Sequence, residues 1–405
     1  MLVLHILRWL LLIADIVVAC PVLYLCIVSL SAVIAAHQRA RMTAPQVEPR
    51  YFAILIPAHD EESVLGTLLR SLTRLAYPAD RYIVCVVADN CTDGTARLAR
   101  QFTGVRVYER SDMTKRGKGY ALNWLIQQID ADQLPYDACV VLDADSVVQA
   151  DFLQALNREL ARGARALQAN NTVLNTQDSP STIVRWIALA LVNHVRTLGR
   201  NGLGASAALT GNGMCLSRAL LQDHPWQAFS VTEDYQYYLS LILHGETVRY
   251  VPEAVVRSQM PTTFAQMRTQ DIRWESADPS QSHWRVAWDL FLAGIRARDL
   301  KRLEAIVELL TPPLSSLVGM CVFLVLAALL LWSWPLLLLG CCVVLGLGFY
   351  VGTAFYFLRP PRSVYMALLY TPAFVVWKLW VYVVLRKNKR HSSEWVRTGR
   401  TSMGK

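Results

Sequence analysis

The stretch VVLDADSVV, residues 140–148, decides how this chain is read. Apolar residues flank Asp143, Ala144 and Asp145, so two carboxylates stand in an otherwise buried run. Read as an extended strand, the spacing aims both acids to one side. Buried like charges repel and are costly unless something positive lies between them. A D-x-D pair at a strand end offers hard oxygen ligands to Mg2+ or Mn2+, with phosphate oxygens and water completing the shell. The plainer reading is a pair of loop aspartates ahead of a helix that begins near Asp151.

Outward from this stretch the chain alternates. YFAILIPAHDEE (51–62), YIVCVVADN (82–90), VRVYER (105–110) and ACVVLDADS (138–146) are short strand-like runs, mostly turning polar at their C-terminal ends. SVLGTLLRSLTRL (63–75), CTDGTARLARQF (91–102) and GYALNWLIQQI (119–129) between them have helical spacing. The alternation predicts an α/β fold with a mainly parallel sheet. Such sheets bind ligands at the carboxyl edge of the strands. Asp60, Asp89, Asp143 and Asp145 therefore belong to one rim.

The 405 residues are 54% hydrophobic and the mean hydropathy is +0.28, too apolar for an ordinary soluble domain. Two blocks carry the excess. Leu10–Ala36 contains a single acid, Asp15, and reads as an uncleaved anchor helix with a kink expected at Pro21. The second block divides into Pro312–Trp334, Pro335–Leu358 and Ser363–Leu385. The first two meet at an uncharged SWPL, a tight hairpin. The third carries Pro372 and Lys378 and is basic at both ends, so it either spans or re-enters. Three spanning helices in total are expected, with four as the alternative. Residues 282–310 place Trp284, Trp288, Phe291 and Ile295 on one helical face. That helix either lies in the membrane surface or packs on the globular part.

The expected organisation is an anchor (1–40), a cytosolic catalytic domain (50–280), amphipathic interfacial helices (281–311), a membrane hairpin with a third segment (312–390) and a basic tail (391–405). The net charge of +9 clusters in HQRARM, LKRLE and RKNKRH beside the apolar blocks. Basic flanks mark the cytoplasmic face of a membrane and suit anionic headgroups. No basic face is studded with aromatics, which argues against nucleic acid. The nine cysteines lack metal-type spacing and read as reduced residues of a cytosolic part. None of His59, His194, His224 or His244 is assigned to a metal.

The ordered strings AILIPAHDEES, VVADNCTDGTA, GKGYALN, VVLDADS, ALTGNGMCLSR, VTEDYQYYLSL and QDIRW run from residue 53 to 274. Together they resemble the family 2 glycosyltransferases, in particular the membrane-embedded branch of cellulose, chitin and hyaluronan synthases and ceramide glucosyltransferase. The resemblance implies a GT-A fold, a nucleotide-sugar donor, a divalent metal and inversion at the anomeric carbon. It places Pro57, Ala58, His59, Glu61 and Asp89 around the donor base and ribose, Lys118 near the diphosphate, and Asp143 and Asp145 on the metal. Asp60 stands where the family often has Asn. Asp93 reads as turn chemistry. Asp234 is implied as the general base, with Glu233, Gly211, Asn212 and Gly213 on the acceptor side. Arg273 of Q-x-x-R-W would meet the diphosphate, and Gln270 and Trp274 the acceptor. Acids at the start of a helix are also favoured by its dipole, which is the plainer account of Glu233.

A UDP-sugar donor and a lipid or lipid-linked acceptor at the cytoplasmic face of a bacterial-type inner membrane form the leading expectation. A processive polysaccharide synthase and a polyprenyl-phosphate glycosyltransferase are the enzymatic alternatives. A catalytically silent nucleotide-binding subunit working with envelope-biosynthesis partner proteins is the non-enzymatic one.

Overall fold

A computed structural model describes residues 2–41, 46–176, 178–260 and 283–367, with 376, 377 and 380. Its sheet grows from the β-branched runs of the sequence. β1 (Phe52–Ala58), β2 (Tyr82–Asp89), β3 (Val105–Arg110) and β4 (Ala138–Val141) pair in parallel. β5 (Ser146–Val148), β6 (Ala166–Val173), β7 (Met214–Ser217) and β8 (Val248–Ser258) complete an eight-stranded sheet in the order β3-β2-β1-β4-β7-β6-β8-β5. β7 runs antiparallel to β4 and β6, and β5 runs antiparallel to β8. The parallel half leaves the carboxyl ends of β1, β2 and β4 at one edge, the rim expected from the sequence.

Helices cover both faces. α2 (Glu62–Leu72), α3 (Thr95–Ala99) and α5 (Phe152–Ala161) close one core, with Phe52, Ile54, Leu65 and Phe152 fully buried. α4 (Lys118–Ala131) covers the other face, where the core continues without a break into the apolar helices. α1 (Leu2–Ala40) passes through Pro21 as one helix, longer at both ends than the apolar block that predicts it. After β6 come α6 (Pro180–Leu189), a π-helical stretch from Ala190 to Arg196 and α7 (Thr197–Gly202). The Ser31 hydroxyl of α1 donates to the carbonyl of Gly199 at 2.8 Å, tying α7 to the anchor. α8 (Arg218–Asp223) and α9 (Glu233–Leu243) precede β8.

α10 (His283–Ala297) and α11 (Leu300–Leu310) replace the single amphipathic helix of the sequence reading. Ala287, Leu290 and Gly294 face inward, while Trp284, Trp288, Phe291 and Ile295 are exposed along the opposite side. α12 (Leu314–Leu330) bends by 67° from α11, and α13 (Trp334–Leu358) returns after a short turn at 331–333. α1 and α13 are each long and apolar enough to cross a membrane, and α11 with α12 forms a bent third candidate. α14 (Arg362–Ala367) follows. Most of the segment Ser363–Leu385, including Pro372 and Lys378, lies outside the described residues.

A buried ionic network joins these layers. Arg200 of α7 donates to both carboxylate oxygens of Glu304 in α11, at 2.7 and 2.9 Å, and to the Tyr238 hydroxyl of α9 at 3.0 Å. Arg196 pairs with Glu308 at 3.0 Å, and Tyr24 of the anchor donates to Glu304 at 2.6 Å.

Candidate active site

The loop between β4 and β5 carries the two carboxylates of the opening stretch, and here one premise of the sequence reading fails. β4 ends at Val141, so Asp143 and Asp145 sit in a turn closed by the Ser146 amide donating to the Asp143 carbonyl at 3.1 Å. They do not share a strand face. Asp145 is buried, whereas the Asp143 side chain is 39% exposed.

Lys118 opens α4 and reaches into the middle of this loop. Its ammonium donates to Asp143 Oδ1 and to the Gly211 carbonyl, both at 2.6 Å, and lies 3.8 Å from Glu233. Burial opposes the Lys118 charge, yet Asp143, Glu233 and Asp234 outweigh it and hold its pKa above the ordinary lysine value. Lys118 is thus the positive group facing Asp143, Glu233 and Asp234.

Glu233 and Asp234 open α9 and face the same ammonium. Burial pushes Glu233 up to about 7 against the pull of Lys118. Asp234 is raised for the same reason, with Lys118 again opposing. Its Oδ1 accepts from the Tyr235 amide at 2.8 Å. Gly211, at φ +75, lies against the other oxygen: a Cβ there would stand 2.8 Å from Asp234 Oδ2 and 3.4 Å from Lys118 Nζ. Lys118, Asp143, Gly211, Glu233 and Asp234 therefore line one small cleft.

Asn212 does something other than form an acceptor wall. It is buried, and its Oδ1 accepts from the Asp143 amide at 3.1 Å. Its Nδ2 donates to Ser146 Oγ at 2.9 Å and Ser258 Oγ at 2.8 Å, and its carbonyl accepts from Gln168 at 2.8 Å. With its amide spent inward, Asn212 fixes the acidic loop from below. Gly213, at φ +73, packs on the sheet, where a Cβ would meet Ala169 and Val256 within 3 Å. Replacing Asn212 by leucine leaves the part-buried Asp143 amide and the buried Ser146 and Ser258 hydroxyls without this partner and is expected to destabilise the protein by about 1–3 kcal/mol. Thermal unfolding of the detergent-solubilised chain measures this.

The rim continues across β1 and β2. Asp89 is buried at the end of β2, and Arg110, its partner in register on β3, donates to Oδ1 at 2.6 Å. Burial raises the Asp89 carboxyl even with Arg110 beside it. His59 Nδ1 lies 2.7 Å from the Asp89 carbonyl, and Pro57 and Ala58 end β1 beside it. The Glu61 amide donates to Thr95 Oγ1. Asp60, at φ +54, accepts from the amides of Thr92 and Asp93, and Asp93 accepts from the Thr95 amide. Asp60, Cys91 and Asp93 bring ligand-type atoms within 4.8 Å of one another, but these bonds account for them as loop fasteners. Gln270, Arg273 and Trp274 lie outside the described residues.

Sequence reasoning overlooked Arg110 and the Asn212 bonds. A charged residue closing VRVYER, opposite Asp89 in a parallel pair, was the available signal for the first. The second depends on residues far apart in the chain and left none.

The model of "Glycosyltransferase like family 2" matches residues 49–277, more than half of the 405. The chain belongs to that family, and its α/β unit has the GT-A fold. A "Beta-monoglucosyldiacylglycerol synthase" of Trichormus variabilis is 27% identical over 266 residues, 64% of this chain and 55% of that protein. A "Poly-beta-1,6-N-acetyl-D-glucosamine synthase" of Staphylococcus epidermidis is 23% identical over 226 residues, 55% of this chain and 53% of that one. The chain spans about half the length of the curated relatives it matches. A mannosyltransferase of Pyrobaculum calidifontis, solved with GDP-Man and Mn2+, is 16% identical with a TM-score of 0.48 over 83% of this chain and 97% of that one.

Proposed function

We propose that the chain transfers a hexosyl or N-acetylhexosaminyl group from a nucleoside-diphosphate sugar, a UDP-sugar first, to a hydroxyl of a lipid acceptor. The observation that carries this reading is the junction of Asp234, Gly211, Lys118 and Asp143 in one cleft at the carboxyl edge of the sheet. The Asp234 carboxylate takes the proton from the acceptor hydroxyl as that oxygen attacks C1 of the sugar. The new C1–O bond forms opposite the breaking bond to phosphate, whose electron pair leaves with the nucleoside diphosphate. Configuration at C1 inverts.

Lys118 stabilises the negative charge of the departing diphosphate. Pro57, Ala58, His59, Glu61 and Asp89 frame the base and ribose. Gly211 leaves room for the acceptor, Gly213 seats this loop on the sheet, Glu233 borders the acceptor, and the Q-x-x-R-W residues complete the site. Asp143 and Asp145 form an all-oxygen donor set that fits Mg2+ or Mn2+. Such an ion supplies further charge neutralisation at the diphosphate. Lys118 shares Asp143 with that role, since its ammonium donates to Oδ1.

Membrane placement belongs to the same reading. α1 and α13 span, α12 completes a hairpin with α13, and the exposed aromatic face of α10 lies in the headgroup region. The α/β unit then sits on the cytoplasmic side. The relative that glucosylates a diacylglycerol by name favours a lipid acceptor over a polymer.

The test is a release assay for free nucleoside diphosphate across a donor panel, with Mn2+ or Mg2+ and membrane lipid extract, followed by mass analysis of the product. Long polymer from the purified chain would overturn the single-transfer reading. The pH profile offers a second check. Asp234 works only when deprotonated, and burial raises its pKa, so the rate is expected to climb with pH through a limb above the usual aspartate range. Replacing Glu233 by glutamine removes a neighbouring negative charge, which moves that limb to lower pH.

A further inference from the structure

A second cleft, of ≈ 470 Å³, opens away from the active site, between the end of the anchor helix, α5, α7 and β8. None of its lining residues belongs to the catalytic cluster. β8 makes room for it: pairing with β6 jumps from Val251 to Val255, so residues 252–254 bulge from the sheet and carry Pro252 and Glu253 into the wall.

The lining is divided by chemistry. Ala36, Leu198, Pro252 and Phe357 form an apolar part, and Arg39, Arg158 and Arg162 a cationic part. The acids present are already shared. Glu159 accepts from Arg39 at 3.0 Å and Arg162 at 2.7 Å, with Arg249 at 3.4 Å, and Glu253 pairs with Arg39 at 2.9 Å. Three guanidinium groups of the lining thus face two carboxylates, one of which is also shared with Arg249 from outside it. Arg158, one helical turn before Arg162, feels the Glu253 carboxylate only at longer range, while Arg39 holds Glu253 in the direct ion pair. The position is equally telling. α1 and α13 are the two longest apolar helices, and the cleft takes Ala36 and Arg39 from the end of one and Phe357 from the end of the other.

From the excess of arginine beside an apolar wall at the shared end of two spanning helices, we infer that this cleft binds the phosphodiester headgroup of an anionic membrane phospholipid, separately from donor and acceptor. Arg158 takes the phosphate oxygens, since a planar guanidinium matches them in pairs. The apolar wall takes the first part of an acyl chain. Neutral headgroups leave the charge excess uncompensated and bind less well. The inference rests on the membrane placement proposed above.

The full chain, purified in detergent, is returned to vesicles of phosphatidylcholine alone or of phosphatidylcholine and phosphatidylglycerol in equal parts. Flotation reports membrane association, and native mass spectrometry of re-extracted protein reports retained lipid. Retention of phosphatidylglycerol over phosphatidylcholine is expected, reduced about tenfold in Arg158→Gln through loss of a charge-assisted bond and largely kept in Arg158→Lys. Unchanged retention in Arg158→Gln, with normal flotation, overturns the cleft assignment alone. Displacement of the lipid by an equal concentration of inorganic phosphate overturns the choice of a lipid ligand. Failure of the unaltered chain to float with either vesicle removes the membrane placement and this inference together. Sugar transfer to the acceptor in Arg158→Gln separates this site from the catalytic one, because no catalytic residue is altered.

Discussion

Replacing Asp234 by asparagine is expected to lower turnover roughly 100- to 10,000-fold, the range typical for removal of a general base. Nucleotide binding should change little. The amide keeps the size of the carboxylate and can still accept from the Tyr235 amide, which bonds Oδ1 in the unaltered protein. What it cannot do is take a proton. The variant also leaves Lys118 with Asp143 and the Gly211 carbonyl, both at 2.6 Å, so the cleft keeps its central cation. Initial rates of diphosphate release, set beside calorimetric binding of the nucleoside diphosphate, separate the two quantities. A variant unchanged in both assays would identify a silent nucleotide-binding subunit. Loss of binding in parallel with turnover would make Asp234 a structural partner of Lys118 and not the base.

Replacing Arg110 by methionine is expected to cost about 3–5 kcal/mol, because it strands the buried Asp89 carboxylate without its ion-pair partner. Both side chains are only 5% exposed, and the guanidinium also holds Asp112 at 3.0 Å and the Lys115 carbonyl at 2.8 Å. The loop leading to Lys118 therefore loosens in the same step. Combining Arg110→Met with Asp89→Asn should restore a good part of the stability, since the uncompensated charge is gone, while leaving donor binding impaired. The pH dependence carries a sign. Asp89 sits above the ordinary aspartate pKa even when paired. Without Arg110 it rises further, so the variant is least destabilised at acidic pH and worsens as pH climbs through the raised value. Thermal unfolding against pH in the single and double variants decides it. A single variant that melts like the unaltered chain would mean that water already solvates Asp89.

Much of this arrangement was legible in the chain itself. Parallel β1, β2, β3 and β4 follow from apolar runs with helical segments between them, and that topology alone brings Asp60, Asp89 and Asp143 to one edge. The hairpin of α12 and α13 follows from an uncharged SWPL between two apolar stretches. The reading failed where local pattern and long-range contact disagree. VVLDADSVV looks like one strand, but it is two short strands around a turn. The reason is Asn212, about seventy residues on, whose side chain accepts from Asp143 and bonds Ser146. Periodicity cannot report such a bond. For the same reason the sequence, which puts Lys118 between two glycines, does not show its neighbours. Only the folded chain puts Asp143, Gly211 and Glu233 around its ammonium.

The bond from Arg200 to both Glu304 and Tyr238 has a practical consequence for anyone hoping to excise the α/β unit as a soluble fragment. Cutting before α10 would remove Glu304 and Glu308 and strip two guanidinium groups of their counter-ions. Trimming the N-terminus would also take Tyr24 from the cluster. The helix that carries Asp234 in its first turn would lose its brace, so a truncated product is expected to precipitate or to stay folded without turnover. Detergent or nanodisc preparations of the uncut polypeptide are the sounder route to its enzymology.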